Sequence, residues 1–152
     1  MDLEQRIQNL EDREQLKELR ATYCFLVDDD RYVELVNDYF TDDAGCDFQN
    51  RLANTEPLVS QGRQQILLFF QDVVANTLKG MSHTLHNHRM VIDGDHASGD
   101  CYFELTARDA NSSTAMVGAG RYTDEYRRVG DRWQFSQRNA DIFYIVPLDQ
   151  GW

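Results

Sequence analysis

Residues 82–95, S-H-T-L-H-N-H-R-M-V-I-D-G-D, mark the point where the hydrophobic periodicity of the chain changes. Before this stretch, apolar residues recur at steps of three and four, as in amphipathic helices. After it they recur at steps of two, as in half-buried strands. Asp93-Gly94 favours a tight hairpin turn, because both residue types reach positive φ at low cost. The stretch therefore predicts a strand over 83–92 with an antiparallel partner after it.

The chain after this turn has the pattern of further strands joined by hairpins. Three more strands are predicted, over 96–108, 114–129 and 132–146. The connections at 109–113 and at Gly130-Asp131 again carry turn-forming residues. Consecutive strands are therefore expected to be antiparallel neighbours.

The chain before residue 82 predicts three helices and one short strand. The first helix ends near Asp28, and the second ends at Thr41-Asp42-Asp43. A strand over 44–49 and an irregular loop over 50–61 precede a third helix that ends at Lys79-Gly80. The order predicts one α+β domain over 1–152, with three N-terminal helices on a curved antiparallel sheet. Helices on one face of such a sheet leave a cone-shaped cavity for a small ligand.

The charge of the chain excludes several partners. Fifteen basic residues against 26 acidic ones give a net charge of −11. Such a surface repels phosphate, so neither nucleic acid nor an anionic membrane is an expected partner. No apolar run approaches membrane-spanning length, and the N-terminal residues lack a signal-peptide core. We expect a cytoplasmic protein whose three cysteines are reduced and buried.

Three consecutive aspartates, Asp28 to Asp30, stand where the first helix ends. Carboxylates are disfavoured at a helix C-terminus, which carries partial negative charge. Asp29 or Asp30 is explained as the N-cap of the next helix, but Asp28 is not. Asp28 is either a solvated turn residue or a buried carboxylate that holds a histidine.

The histidines are concentrated at 83, 86 and 88. Strand alternation places His83 on one face together with Asn87, and His86 and His88 on the other. A metal site on His86 and His88 lacks an evident third ligand, so no metal is predicted. No P-loop, dinucleotide-binding motif or nucleophile-elbow motif occurs, and no cofactor is predicted.

Two more residues could contribute functional groups to the predicted cavity. Tyr23 lies on the core side of the first helix, where it either packs or offers its hydroxyl to a substrate as a weak acid. Arg138 lies in the middle of the last strand. It is either an exposed arginine or one that needs a carboxylate or a ligand oxygen inside the cavity.

Three segments, 23–48, 82–95 and 118–144, resemble the SnoaL-like branch of the NTF2-like superfamily. The similarity spans roughly residues 10 to 146, and it rests on the order and spacing of the segments together. Members of this branch include scytalone dehydratase, bile-acid 7α-dehydratase and hexachlorocyclohexane dehydrochlorinase. The resemblance implies an NTF2-like cone that forms homotrimers or homodimers.

The resemblance also implies a cofactor-independent eliminase with an Asp-His pair in the cone. His83 stands at the position of the catalytic histidine, and Asp28 at that of its carboxylate partner. His83 would take a proton from carbon, Tyr23 would protonate the departing hydroxyl, and Arg138 would stabilise developing negative charge. Four further residues are predicted to bind the substrate: Phe48, Asn87, Tyr102 and Tyr122.

The function that we predict is a lyase, a dehydratase acting on a hydroxylated cyclic compound of polyketide, steroid or aromatic-catabolic type. Dehydrohalogenation and double-bond isomerisation would use the same base, so both stay open. The alternative from another class is a non-catalytic NTF2-like module, such as the small subunit of an aromatic-ring dioxygenase. A buried Asp28 beside an open cavity favours the lyase, whereas a filled cone favours the subunit.

Overall fold

The computed structural model describes residues 1–50 and 54–150 as helices packed on one face of a curved six-stranded sheet. The helices are α1 (Leu3–Asp28), α2 (Tyr32–Tyr39), α3 (Gly62–Leu68) and α4 (Ala75–Thr77), with a π-helical segment (Phe69–Val74) between the last two. The strands are β1 (Phe40–Asn50), β2 (Leu58–Gln61), β3 (Leu78–Asp93), β4 (His96–Asp109), β5 (Ala115–Val129) and β6 (Arg132–Pro147). This arrangement confirms the predicted α+β cone.

Helix α1 begins at an Asp2 cap, whose side chain accepts a hydrogen bond from the Gln5 backbone N–H at 2.9 Å. Its buried stripe follows the helical repeat and faces the sheet: Leu16, Leu19, Arg20, Tyr23, Leu26 and Val27. With 26 residues it is the longest helix. Neither it nor any other helix of the described chain is long and apolar enough to cross a membrane.

The third helical segment contains a π-helical turn. Residues Phe69–Val74 follow α3 directly and continue into α4. A π-helix bonds each residue to the fifth along, so its turn is wider than that of an α-helix. Phe69 and Phe70 are adjacent in sequence, yet both are buried against the core. Such segments occur frequently at functional sites.

The sheet has the strand order β2-β1-β6-β5-β4-β3, and it is mixed. Strands β3 to β6 form the expected antiparallel hairpins. Strand β1, however, pairs with β6 in parallel, with Cys46 opposite Arg138. The prediction of an antiparallel sheet is therefore wrong for this pair. A parallel pair needs a long crossover connection, and local turn signals carry no information about it.

Two boundaries before β3 also differ from the predictions. Strand β1 begins at Phe40, so Thr41-Asp42-Asp43 lies inside the strand rather than ending a helix. The predicted loop over 50–61 contains β2, which pairs with β1 as an antiparallel edge strand. Residues 51–53 of that loop lie outside the described part of the chain. Neither segment shows the alternation of a half-buried strand. In β1 the adjacent residues Asp42 and Asp43 are both exposed. In β2 the polar Ser60 is buried, whereas the apolar Leu58 and Val59 are exposed.

Alternation along the strands selects the side chains that face the helices. On β4 the buried residues include Cys101, Phe103 and Leu105, and on β5 they include Tyr122, Asp124 and Tyr126. The stacked rings of Phe103 and Tyr122, with centroids 4.4 Å apart, join the two strands on this face. The inner face therefore holds both aromatic and ionisable side chains.

Gly120 of β5 provides room for the Phe103 ring, and its replacement gives a testable prediction. A Cβ at this position would lie 2.5 Å from the carbonyl oxygen of Asp141 and even closer to Phe103. Gly120→Ala is expected to lower the free energy of unfolding by about 1–3 kcal/mol, as overpacking does. Urea denaturation measures it, and an unchanged midpoint would contradict this account of the packing.

Candidate active site

A cavity of about 290 Å³ lies between the helical layer and the inner face of the sheet. Its wall is mostly apolar and includes Val27, Phe48, Phe69, Phe70, Phe103 and Ile142. Polar side chains at the more exposed part of the wall are Asn50, Thr55, Glu56 and Thr77. The buried polar side chains of the wall are Tyr23, His83 and Tyr122. The volume is close to the lower end of the range of about 300–1,000 Å³ for small-molecule pockets.

The carboxylate of Asp28 contacts His83 twice. Its Oδ1 lies 2.5 Å from Nδ1 of the imidazole, and its Oδ2 accepts the backbone N–H of His83 at 3.0 Å. The side chain of Asp28 is 15% exposed and that of His83 is 5% exposed. These hydrogen bonds from β3 offset the unfavourable position of a carboxylate at the end of α1. Asp28 is thus a partly buried partner of His83, not a solvated turn residue.

The contact with Asp28 determines which nitrogen of His83 is free. With Nδ1–H donating to the carboxylate, the lone pair lies on Nε2. His83 lines the cavity, and its ring centroid is 6.2 Å from that of Phe103. A neutral imidazole held in this tautomer, with apolar neighbours, is suited to accept a proton from a bound ligand.

Tyr23 and Tyr122 form the deep part of the cavity wall. Both are almost completely buried, and their ring centroids are 5.8 Å apart in an edge-to-face arrangement. Burial raises the pKa of each phenol well above its usual range, although the charge of Arg138 acts in the opposite direction. Both hydroxyls are therefore protonated at neutral pH and can donate hydrogen bonds.

Arg138 does not line the cavity, contrary to the prediction that it contacts developing charge there. It is fully buried behind the aromatic rings. Its guanidinium carbon lies 3.9 Å from the ring centroid of Tyr23, 3.6 Å from that of Tyr122 and 4.6 Å from that of Phe135. The tyrosines therefore stand between the guanidinium and the cavity. The alternation of residues along a strand predicts the face of the sheet on which a residue lies. It does not predict which other side chains lie between that residue and the cavity.

The carboxylate partner that the sequence reasoning required for Arg138 is Asp124, which that reasoning missed. Asp124 Oδ2 is 3.7 Å from Arg138 Nη1 and 3.7 Å from Arg20 Nε, and it accepts the Tyr126 hydroxyl at 2.9 Å. The sequence did contain a signal for this residue. Asp124 lies two positions from both Tyr122 and Tyr126, so strand alternation places all three on the same face of β5. Arg20 similarly lies on the buried stripe of α1.

Of the other predicted substrate-binding residues, Phe48 and Tyr122 line the cavity, whereas Tyr102 and Asn87 do not. Tyr102 lies on the outer face of the sheet, since it alternates with the buried Cys101 and Phe103. Asn87 is exposed at a β-bulge, where its φ of 56° interrupts the alternation from His83. These two assignments are corrected: neither residue is positioned to touch a ligand in the cavity.

The bulge also separates the two histidines considered as metal ligands. His86 is exposed and lies 3.2 Å from Glu104, whereas Nδ1 of His88 lies 3.1 Å from Nη1 of Arg20. Burial, followed by the charge of Arg20, lowers the pKa of His88. Within residues 1–50 and 54–150, no group of three or more histidine, cysteine, aspartate or glutamate side chains could hold a metal ion.

The helical layer, the curved sheet and the cavity between them define an NTF2-like cone, with His83 in its wall and Asp28 bonded to that histidine. The SnoaL-like domain matches residues 8–139, most of the chain, and the chain belongs to the SnoaL-like family. None of the curated proteins compared with the chain matches it.

Solved structures share this fold along nearly the whole chain. Hexachlorocyclohexane dehydrochlorinase LinA-type3 from Novosphingobium barchaimii LL02 is 21% identical, with a TM-score of 0.78 and 95% of each chain covered. A protein from Novosphingobium aromaticivorans DSM 12444 described as a scytalone dehydratase is 17% identical, with a TM-score of 0.79 and coverage of 91% of this chain and 89% of the other.

A third structure comes from the same organism. It is the β subunit of a protein described as an aromatic-ring-hydroxylating dioxygenase, and it is 16% identical, with a TM-score of 0.73 and coverage of 90% of this chain and 92% of the other. At these identities the three structures establish the fold alone. The chemistry has to be argued from the side chains at the cavity.

Proposed function

We propose that this chain is a cofactor-independent lyase that eliminates water from a hydroxylated cyclic compound, with His83 as the base. The observation that carries the proposal is the pair of contacts between Asp28 and His83 at the wall of an apolar cavity. A base held in one tautomer by a buried carboxylate is the element that an elimination needs.

The reaction begins with transfer of a proton from carbon to Nε2 of His83. That carbon lies next to a carbonyl group, and the electron pair of its C–H bond forms the new C=C bond. The C–O bond to the neighbouring carbon breaks, and the departing oxygen takes the proton of the Tyr23 hydroxyl and leaves as water. The proton on His83 then returns to the Tyr23 oxygen through the released water, which restores both groups.

The cavity supports a small, mostly apolar substrate. Phenylalanines and aliphatic side chains supply most of its wall, and Glu56 is the one carboxylate among its described lining residues. An apolar wall favours a ring over a charged chain, because burial of an unpaired charge is costly. A cavity of about 290 Å³ suits one or two fused rings better than a longer polycyclic compound.

The alternative, a non-catalytic subunit, is supported by the likeness to the dioxygenase β subunit. That alternative predicts a filled cone or a solvent-exposed Asp28. The open cavity and the partly buried Asp28–His83 contact instead support the lyase. Purification in complex with a larger iron-containing chain would favour the subunit.

A panel of ring compounds tests the proposal directly. Cyclic β-hydroxy ketones, their β-chloro counterparts and β,γ-unsaturated ketones are incubated with the purified protein, and formation of the conjugated enone is followed by ultraviolet absorbance. We expect turnover of at least one hydroxy ketone and a raised melting temperature with the compounds that bind. Turnover of the chloro compounds or unsaturated ketones alone would reassign the leaving group or make the protein an isomerase. A panel without binding or turnover would contradict the lyase.

Asp28→Asn tests the role of the carboxylate. An asparagine oxygen can accept from only one of the two His83 donors, and its NH₂ group can hold Nδ1 in the tautomer that protonates Nε2. Turnover is therefore expected to fall by about 10²- to 10⁴-fold, with a small change in melting temperature. The matched control is Asp29→Asn at the neighbouring exposed position. Equal activity in the two variants would remove Asp28 from the mechanism.

A further inference from the structure

The hydroxyls of Tyr23 and Tyr122 are unusual for buried phenols. Buried tyrosines normally find a hydrogen-bond partner for the O–H group. Neither hydroxyl forms a hydrogen bond within residues 1–50 and 54–150, and neither oxygen is one of the fully enclosed polar atoms without a partner, so both oxygens reach accessible space although the residues are only 1% and 2% exposed. Both side chains line the cavity. Two unpaired donors thus belong to the same wall of one apolar cavity.

Arg138 places a positive charge behind this wall. Its guanidinium carbon is within 4 Å of both tyrosine ring centroids. Its Nε, Nη1 and Nη2 atoms have no hydrogen-bond partner among the described residues, so the guanidinium is held by the ring faces and by the charge of Asp124. The Arg138 guanidinium therefore lies against the phenol rings, and no bidentate carboxylate in the described part of the chain neutralises its charge.

The charges in this buried cluster do not balance. Within the described residues, Arg20 and Arg138 form ion pairs with one shared carboxylate, that of Asp124, and all three side chains are 0% exposed. The cluster therefore carries an excess of positive charge in a region of low dielectric constant, where electrostatic effects are stronger than in water. A negative charge that develops at the tyrosine hydroxyls would be stabilised by that excess.

We infer that Tyr23, Tyr122 and Arg138 form a binding site for one negatively charged oxygen atom of a ring compound. The two hydroxyls donate to that oxygen, and the guanidinium behind the rings offsets its charge. During the elimination proposed above, on which this role depends, the oxygen is the departing one, and Arg138 stabilises the tyrosinate formed when Tyr23 gives up its proton. In the resting protein the same site binds the oxygen of a phenolate.

Tyr122 acquires a catalytic role that was not predicted, and the charge-stabilising role predicted for Arg138 is exerted from behind the tyrosine rings. Tyr122 was predicted only to bind the substrate, and its hydroxyl now becomes a second hydrogen-bond donor to the departing oxygen. Arg138 becomes a positioning residue that acts through the two tyrosines without touching the substrate. Preorganised donors aimed at a developing negative charge are among the largest contributions to catalysis.

Binding of 4-nitrophenol tests the site without any turnover. The ionised and protonated forms of this compound absorb at different wavelengths, so absorbance reports the charge of the bound molecule. At a pH where the free compound is mostly protonated, we expect binding to increase the nitrophenolate band. Nitrobenzene, which lacks the phenolic oxygen, is the matched neutral ligand.

The variants distinguish the three side chains. Tyr23→Phe and Tyr122→Phe should each weaken nitrophenolate binding by about 10- to 100-fold, the effect of one hydrogen bond to a charged group, with little effect on nitrobenzene. Arg138→Met should reduce the ionised fraction of the bound compound, and Arg138→Lys should restore part of it. Tyr39→Phe, at a tyrosine outside the cavity wall, is the control.

The outcomes separate this inference from the proposed function. Nitrophenolate binding that depends on both tyrosines, in a protein that turns over no hydroxy ketone, would establish the oxygen site and contradict the lyase. Turnover that is unaffected by Tyr122→Phe, with nitrophenol bound in its protonated form, would overturn the inference and leave the lyase standing. Failure to bind either nitro compound would also overturn it. If Arg138→Met does not fold, the tyrosine variants still decide the question.

Discussion

The His83→Ala variant is expected to turn over a cyclic hydroxy ketone about 10²- to 10⁴-fold more slowly than the wild-type protein, because it loses the only base at the described cavity wall that a carboxylate holds in place. The substitution leaves Asp28 bonded to the backbone N–H of residue 83, which does not depend on the side chain. We therefore expect the variant to fold. The rate is measured from conjugated product, at substrate concentrations below and above KM.

Two controls make the result specific to the His83 imidazole. His86→Ala removes an exposed imidazole from the same strand, and its turnover should match that of the wild-type protein. Added imidazole should restore part of the activity of His83→Ala, since the deleted ring leaves space beside Asp28. Turnover by His83→Ala within a few-fold of the wild-type rate would eliminate His83 as the base.

Asp124→Asn is expected to produce the largest loss of stability, about 3–5 kcal/mol in the free energy of unfolding. The side chain keeps its size, but Arg20 and Arg138 then lie in the core without a counter-charge. The cost of two uncompensated buried cations is large because little water reaches them. Urea denaturation followed by circular dichroism measures the change.

Asp43→Asn is the matched control for Asp124→Asn. Asp43 also pairs with an arginine, Arg127, but its side chain is 67% exposed. Loss of an exposed pair changes stability by about 0–1 kcal/mol. Similar losses in the two variants would show that burial of the cluster does not determine its energetics. Replacing Arg20, Asp124 and Arg138 together by apolar residues should restore most of the stability lost by Asp124→Asn.

Local signals were sufficient for most of the architecture. The helical repeat predicted α1 and its inward face, and the turn residues predicted the hairpins that join β3 to β6. The same signals failed for β1, because its parallel pairing with β6 depends on contacts between residues about 90 positions apart in the chain. They also failed at Asn87, where one extra residue at a bulge makes every later residue of β3 point to the opposite face from the one that strict alternation predicts.

Only part of the candidate site could be predicted from the sequence, for a related reason. Asp28 stood out because a carboxylate at the end of a helix needs a stabilising partner. Arg138 stood out because an arginine in the middle of a strand needs one too. Neither argument reveals that Tyr23 and Tyr122 separate Arg138 from the cavity, since that depends on how side chains from α1 and β5 fit together.

The π-helical segment gives this chain a simple route to a new pocket shape. A π turn holds one more residue than an α turn, and Phe69, Phe70, Val73 and Val74 of this segment all face the cavity. Deleting one residue would return the backbone to α-helical winding and change which side chains of this segment reach the cavity. A relative could therefore acquire a different substrate range through a one-codon deletion, with every residue of β3 to β6 retained.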